Sequence, residues 1–228
     1  MQYPGVRPAV FLRRLNRFIA HVLLDGAEET VHVRNTGRLL ELLVPGAPVL
    51  LTPSPTAGRK TAYTLVAIYK GERLVNIDSL APNQLAAAAL AAGQLPAIGP
   101  VDAVRREVNY GGSRFDLGFT AGGRQGFVEV KGVTLERDGV AMFPDAPTAR
   151  GARHLQELAA AVRAGCLGYV LFVIQLQGVR SFCPNAATDP AFVAALREAA
   201  DTGVGVLAYD CRVGPGWTAL ADPVAVSL

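Results

Sequence analysis

The sequence predicts a small antiparallel β-barrel in the first third of the chain and a mixed-sheet α/β domain in the remainder. Three observations carry this. Six short segments in residues 1–81 are β-branched or alternating and are separated by Gly, Pro, Asn and Asp. An alanine-rich helical stretch follows Ser79 and marks a change of composition. After it, strands and helices are interspersed, with an alternation of elements that calls for layers of helix on sheet.

Taken in order, AVFLRRL, FIAHVLLDG, ETVHVRN, PVLLTPS, TAYTLVAIYKG and ERLVNID read as strands. Five or six of them in about 80 residues predict a small barrel, of which the OB-fold is a common type. The piece RNTGRLLELLVPG interrupts them. Asn35-Thr36-Gly37 is a turn, and Leu39, Leu40, Leu42 and Leu43 predict a brief helix stopped at Pro45-Gly46. Asn83 is expected to cap a helix through LAAAALAAG, ended by Gly93 and Pro96. Three strands follow, VRREVNYG, SRFDLGFT and GFVEVKGVTL, then a loop, FPDAPTARG. Thr148 is positioned to cap the helix ARHLQELAAAVRAG. GYVLFVIQL is almost wholly apolar, as a strand covered on both faces must be. A last helix (PAFVAALREAADTG) and strand (VGVLAYDCRV) complete an α-β-β-β-α-β core with mixed pairing. The boundary is expected near Ala81, giving a barrel in 1–81 and an α/β domain in 82–228.

Composition narrows the class. Half of the 228 residues are apolar and no low-complexity run occurs, which excludes a disordered chain. No uninterrupted apolar stretch of about 18 residues is present, and the N-terminal segment lacks an apolar run with a cleavage site behind it. The expectation is a soluble, cytoplasmic protein with no membrane partner. Cys166, Cys183 and Cys211 are widely spaced and odd in number, fitting neither a zinc pattern nor a disulfide framework. Residues 1–81 carry ten Lys/Arg against six Asp/Glu, while 82–228 carry twelve against thirteen. The cationic excess therefore sits in the predicted barrel, where phosphates are expected to meet it.

Strand alternation puts Glu129 and Lys131 on one face of GFVEVKGVTL, and the preceding strand brings Asp116 beside them. Charged side chains in apolar strands are costly to bury unless paired or metal-bound. Two carboxylates with a backbone carbonyl and water make a hard oxygen site suited to Mg2+ or Mn2+. Lys131 adds a positive charge for developing phosphoryl oxygens, and Glu107 on the upstream strand is expected to complete the shell. An acidic residue followed thirteen positions later by Glu-Val-Lys resembles the PD-(D/E)xK signature of restriction-endonuclease-like nucleases. Arg150, Arg153, His154 and Glu157 share one polar helix face opposite Leu155, Leu158, Ala159 and Val162, so Arg150, Arg153 and His154 are expected to meet a phosphate.

The whole chain resembles the sugar fermentation stimulation protein A family. The resemblance is carried by LNRFIAHV, VRNTGRLLELLVPGAPVLL, RKTAYTLVAI, PNQL, REVNYGGSRFDL, FVEVKGVTL, FPDAPTARGARHLQEL and AYDCRV. It implies an N-terminal OB-like barrel joined to a restriction-endonuclease-like domain. It also implies DNA binding, a link to regulation of sugar (maltose) utilisation genes, and a DNA or RNA nuclease activity. The family signature falls on Asp116, Glu129 and Lys131, with Glu107 as the upstream acid.

In the barrel, Arg13, Arg14 and Arg17 cluster near Asn16 and Phe18, Arg34 and Arg38 flank the Asn35-Thr36-Gly37 turn, and Arg59-Lys60 precede Tyr63. Arg17, Arg34 and Arg38 are the expected phosphate contacts. The functional expectation is a Mg2+- or Mn2+-dependent nuclease acting on DNA or RNA, with a homodimer as the arrangement by which restriction-type nucleases cut two strands. The alternative is a non-catalytic DNA-binding regulator, although no helix-turn-helix or other base-reading motif is visible.

Overall fold

A computed structural model describes residues 1–54 and 60–228. Arg59, expected among the basic residues of the barrel, lies outside the described residues.

Six strands build the first domain: β1 (Arg7–Arg14), β2 (Ile19–Leu24), β3 (Ala27–Val33), β4 (Pro48–Pro53), β5 (Tyr63–Lys70) and β6 (Arg73–Asn76). Their sheet order is β3-β2-β1-β4-β5-β6, and β3 also pairs with β5, closing a five-stranded OB barrel with β6 added at its edge. Closure is made by a parallel pairing, His32↔Thr64 and Val33↔Leu65, within an otherwise antiparallel barrel. Period-2 alternation supplies the interior: Ala9 and Phe11, Ala20, Val22 and Leu24, and Val31 and Val33 are all buried. The β2–β3 hairpin turns on Asp25 (φ 49°) and Gly26 (φ 82°). Two successive left-handed residues match the twist of the flanking strands, which is why an Asp-Gly pair stands there. The leucine-rich segment forms turns instead of the expected brief helix. Leu39 has a φ of 52° and its carbonyl accepts from the N–H groups of Leu42 and Leu43. That fold-back drives Leu39 and Leu42 into the core, and burying them outweighs helical propensity in so short a piece.

The second domain starts with α1 (Ala81–Ala91), followed by β7 (Ala103–Tyr110), β8 (Ser113–Ala121), β9 (Arg124–Val133), β10 (Leu135–Arg137), β11 (Val140–Phe143), α2 (Ala149–Arg163), β12 (Leu167–Ile174), β13 (Ser181–Pro184), α3 (Pro190–Asp201), β14 (Gly205–Gly214), β15 (Trp217–Pro223) and β16 (Ala225–Val226). The main sheet runs β15-β14-β12-β9-β8-β7. Its centre, β9-β12-β14, is parallel, and β7, β8 and β15 are antiparallel to their neighbours. One face packs α1, through Leu85, Ala89 and Leu90, with Leu117, Val128 and Leu171; the other packs α2 and α3 with Phe127, Val170 and Phe172. Strand β12 is therefore covered on both sides, as its composition requires. Strands β10, β11, β13 and β16 form a second small sheet not foreseen from the sequence. No helix among the described residues is long and apolar enough to cross a membrane.

The two domains share one apolar core. A single cluster contains Phe11, Val22, Leu39 and Leu42 from the barrel with Phe115, Leu155, Phe172 and Leu196 from the α/β domain. A polar seam runs beside it. Asp78 is fully buried, and Arg34 donates to both its oxygens, at 2.9 and 2.6 Å. Asp78 also accepts from the Leu80 N–H at 3.0 Å, at the position that starts α1. Gln175, just past β12, donates to Asn76 Oδ1 and to the Asp78 carbonyl, and the Asn76 N–H donates to the Gln175 carbonyl.

Removing one partner of such a pair strands a buried charge. Arg34→Met is expected to cost about 3 kcal/mol, the lower end of the usual range because Arg34 is partly exposed. Urea unfolding of the variant against the parent chain measures it, and Arg34→Lys, which cannot form the two-pronged contact, should fall between them.

Candidate functional site

Strands β8 and β9 pair from Ala121↔Arg124 as far as Leu117↔Val128. Beyond that point the ladder stops, and Asp116 Oδ2 takes the Val130 N–H at 2.8 Å. A side chain thus replaces the missing backbone acceptor, and a recess opens where the strands part. Asp116 Oδ1 accepts from Asn83 Nδ2 at 2.8 Å. Asn83 is not the cap of α1, as the sequence suggested. Leu80 occupies the cap position with Pro82 in the first turn, which frees the Asn83 amide to face β8.

Glu129 is buried, at 2% exposure. Its Oε1 accepts from Lys131 Nζ at 2.6 Å and from His154 Nδ1 at 2.7 Å. Arg150 Nε donates to His154 Nε2 at 3.3 Å, so the tautomer with its proton on Nδ1 satisfies both contacts. Glu129 Oε2, also buried, has no hydrogen-bond partner. The carboxylate is crowded on one oxygen and bare on the other. The Asp116 carboxyl is pushed above its ordinary range, first by burial and then by the neighbouring Glu129 charge, against the lowering effect of the Val130 N–H and Lys131.

These groups line a recess of about 310 Å3 at the meeting of the domains. Asn35 comes from the barrel, Asn83 from α1, Asp116, Glu129 and Lys131 from the sheet, Arg150 and His154 from α2, and Gln175 from the end of β12. The first turn of α2 forms part of the wall, with Thr148 accepting from the Gly151 N–H at 3.1 Å as its cap.

The structure brings together Asp116, Glu129, Lys131, Arg150 and His154. His154 is buried against Glu129 and does not stand on the exposed cationic face where the helical spacing put it. Arg153 does stand there, 4.0 Å from Glu157. Glu107 lies across from Asp116 in the β7–β8 register, between the pairs Arg106↔Leu117 and Val108↔Phe115. Its φ of 55° and its exposed carboxylate, 3.7 Å from Arg114, leave it outside the recess. Among the described residues no three His, Cys, Asp or Glu side chains form a metal-holding group; the acidic set in the recess is the Asp116–Glu129 pair. Arg34 is committed to Asp78, whereas Arg17 and Arg38 remain exposed. The residues that sequence reasoning missed are Asn83 and Gln175. Both come from segments remote from the Glu-Val-Lys strand, and an amide carries no local signal of such a role. The cysteines take no part, and burial pushes the Cys211 thiol up to about 12.

Comparisons with known proteins agree over the whole chain. A family model described as "Sugar fermentation stimulation protein RE domain" matches residues 80–217, and one described as "SfsA N-terminal OB domain" matches residues 12–77. A "Sugar fermentation stimulation protein homolog" of Alkaliphilus oremlandii is 47% identical over 99% of this chain and 98% of its own. A relative so described in Desulfitobacterium hafniense is 47% identical over 100% and 99%. A solved structure, "The structure of Pyrococcus Furiosus SfsA in complex with Ca2+", superposes with a TM-score of 0.91 at 30% identity, covering 100% of this chain and 98% of that one.

A carboxyl raised by burial favours folding in its protonated form. Its contribution is complete below the ordinary carboxyl range and lost as pH rises through the raised value. Asp116→Asn removes the ionised form, and Asn83 can turn its amide to accept from the new donor. In EDTA near pH 7.5 the variant is expected to be more stable by about 1 kcal/mol. That advantage should shrink as pH falls through the carboxyl range, as followed by urea unfolding at a series of pH values.

Proposed function

The chain belongs to the sugar fermentation stimulation protein family, and we propose that it is a divalent-metal-dependent nuclease that hydrolyses phosphodiester bonds of DNA or RNA. The observation that carries this reading is the half-buried Asp116 beside the buried Glu129, with Lys131 alongside and Glu129 Oε2 without a partner. Two adjacent carboxylates, one raised by burial and by its charged neighbour and one holding a bare buried oxygen, fit a hard divalent cation. A relative solved in complex with Ca2+ supports the same class of ion. Asp116 and Glu129 would hold the cation, which in such sites polarises a phosphoryl oxygen and acidifies a bound water.

The chain's own groups divide the remaining work. Lys131 and His154 hold Glu129 by one oxygen, and the other is buried without a hydrogen-bond partner. Asn83 and the Val130 N–H fix Asp116. The Lys131 ammonium, 2.6 Å from Glu129, lies within reach of charge developing on a phosphoryl group in the recess. Arg150 and the N-terminal turn of α2 add positive potential on the opposite wall, where a phosphodiester is drawn in. His154 acts as a positioning residue through Glu129.

The relatives' description as sugar fermentation stimulation proteins attaches to a second reading, a non-catalytic DNA-binding regulator of sugar utilisation genes. One assay separates the two. Labelled DNA and RNA, single- and double-stranded, are incubated with the chain and Mg2+ or Mn2+, with EDTA controls. The nuclease reading expects metal-dependent cleavage that falls to background in Asp116→Ala and Glu129→Ala and by roughly 10²–10³-fold in Lys131→Ala. Binding without cleavage under either metal favours the regulator, and cleavage surviving both carboxylate substitutions overturns the assignment of the site.

Cation binding has an independent readout. Saturating Mn2+ is expected to raise the melting temperature by about 3 °C in the parent chain. Glu129→Gln, which removes the charge but keeps the shape, should abolish the rise.

A further inference from the structure

The recess does not end at the carboxylates. Asn35 and Thr148 line it and also line a larger cleft of about 860 Å3 that continues between the two domains. One wall of the cleft is barrel: the β1–β2 turn with Leu15 and Arg17, and the segment with Arg38 and Leu40. The other wall is the loop with Asp145 and Pro147 that leads into α2. The walls are tied together where Asp145 Oδ2 accepts the Arg38 N–H at 3.0 Å.

Charge along this cleft is deliberately unequal. Arg14 is spent on structure: its guanidinium donates to the carbonyls of Asn16, Arg17, Asn35, Gly37 and Arg38, stapling the two barrel segments into one wall. Arg17 and Arg38 are exposed, and among the described residues neither side chain has an acidic partner. Asp145, the acidic residue of the cleft, is engaged by the Arg38 N–H and lies near Arg14. Beside these free cations stand bare apolar side chains, Leu15 at 52% and Leu40 at 73% exposure, with Phe18 at 52% on the same turn as Leu15.

We propose that this cleft is the track of a single nucleic-acid strand with unpaired bases, which enters along the barrel and delivers one phosphodiester to the Asp116–Glu129 recess. The inference rests on the nuclease reading above and names its substrate class. Free cations at the rim suit a phosphate backbone, and exposed Leu and Phe suit the faces of unpaired bases. A duplex hides those faces in its stack and offers such side chains nothing. A recess of about 310 Å3, at the small end of the ~300–1,000 Å3 typical of ligand pockets, admits one nucleotide unit and not the body of a duplex. A flat membrane surface cannot follow a concave cleft to its floor.

The test is fluorescence anisotropy of the full chain in EDTA with four labelled probes: a 15-nucleotide DNA strand, the same sequence as RNA, and the corresponding blunt DNA and RNA duplexes. Anionic phospholipid vesicles serve as a fifth ligand. Binding to at least one single strand should be tenfold or more tighter than to its duplex. Arg17→Ala/Arg38→Ala and Leu15→Ala/Leu40→Ala should each weaken it tenfold or more, with folding checked by circular dichroism. Arg13→Ala, which removes a cation already paired with Glu28, should change it less than twofold. Duplex binding as tight as single-strand binding, vesicle binding without strand binding, no binding, or insensitivity to either folded double variant overturns the proposal. Adding Mn2+ keeps the two claims apart. Cleavage of duplex in preference to single strand sinks this inference and leaves the nuclease reading standing; single-strand binding without cleavage does the reverse.

Discussion

The Arg34–Asp78 pair is the constraint on which the rest of the structure depends. A carboxylate with no solvent exposure is tolerable only when fully satisfied, and Asp78 is held by the Arg34 guanidinium and the Leu80 N–H together. Satisfying it fixes three things at once: the chain leaving β3, the end of the barrel after β6, and the start of α1. Because α1 begins where it does, Asn83 falls against Asp116, and Asp116 in turn takes the Val130 N–H at the point where β8 and β9 part. The geometry of the recess is thus inherited from an ion pair in the domain seam through the Leu80 N–H, Asn83 and Val130 N–H contacts.

The recess itself runs against stability. A buried and a half-buried carboxylate share the recess, and the fold answers with donors on three of their four oxygens, leaving Glu129 Oε2 bare. The apolar walls are placed to sustain this. Phe127 and Val128 immediately precede Glu129 and are fully buried on opposite faces of the sheet. The strand is thus anchored on both faces just ahead of a carboxylate that leaves one oxygen without a partner.

Much of this was legible in the sequence, for reasons that can be named. β1, β2 and β3 alternate, β4 and β5 are short β-branched apolar runs, and Gly, Pro, Asn and Asp punctuate them, so their existence and order could be read. Asp116, Glu129 and Lys131 could be found because charged residues inside apolar strands stand out. What could not be read depends on tertiary context. The parallel β3–β5 closure has no local signature, and β11, β13 and β16 have four residues or fewer, too few to display a period. His154 fits a polar helix face by spacing, yet a buried carboxylate on a different element turns it inward. Glu107 sits in register opposite Asp116, but its left-handed backbone sends the carboxylate to Arg114, and a backbone angle is not written in residue type.

The shared core has a further consequence for the cleft. Domains that meet through a small polar surface swing relative to one another, whereas a large apolar interface holds them still. Here Leu39 and Leu42 of the barrel lie in one packed cluster with Leu155, Phe172 and Phe192 of the α/β domain, and close packing of this kind does not deform continuously. The two walls therefore cannot act as jaws that close on whatever enters. On the function proposed above they would form a fixed gauge: a strand would be accepted or refused by its width before any chemistry began, with discrimination resting on exclusion at the entrance instead of motion around the bound molecule.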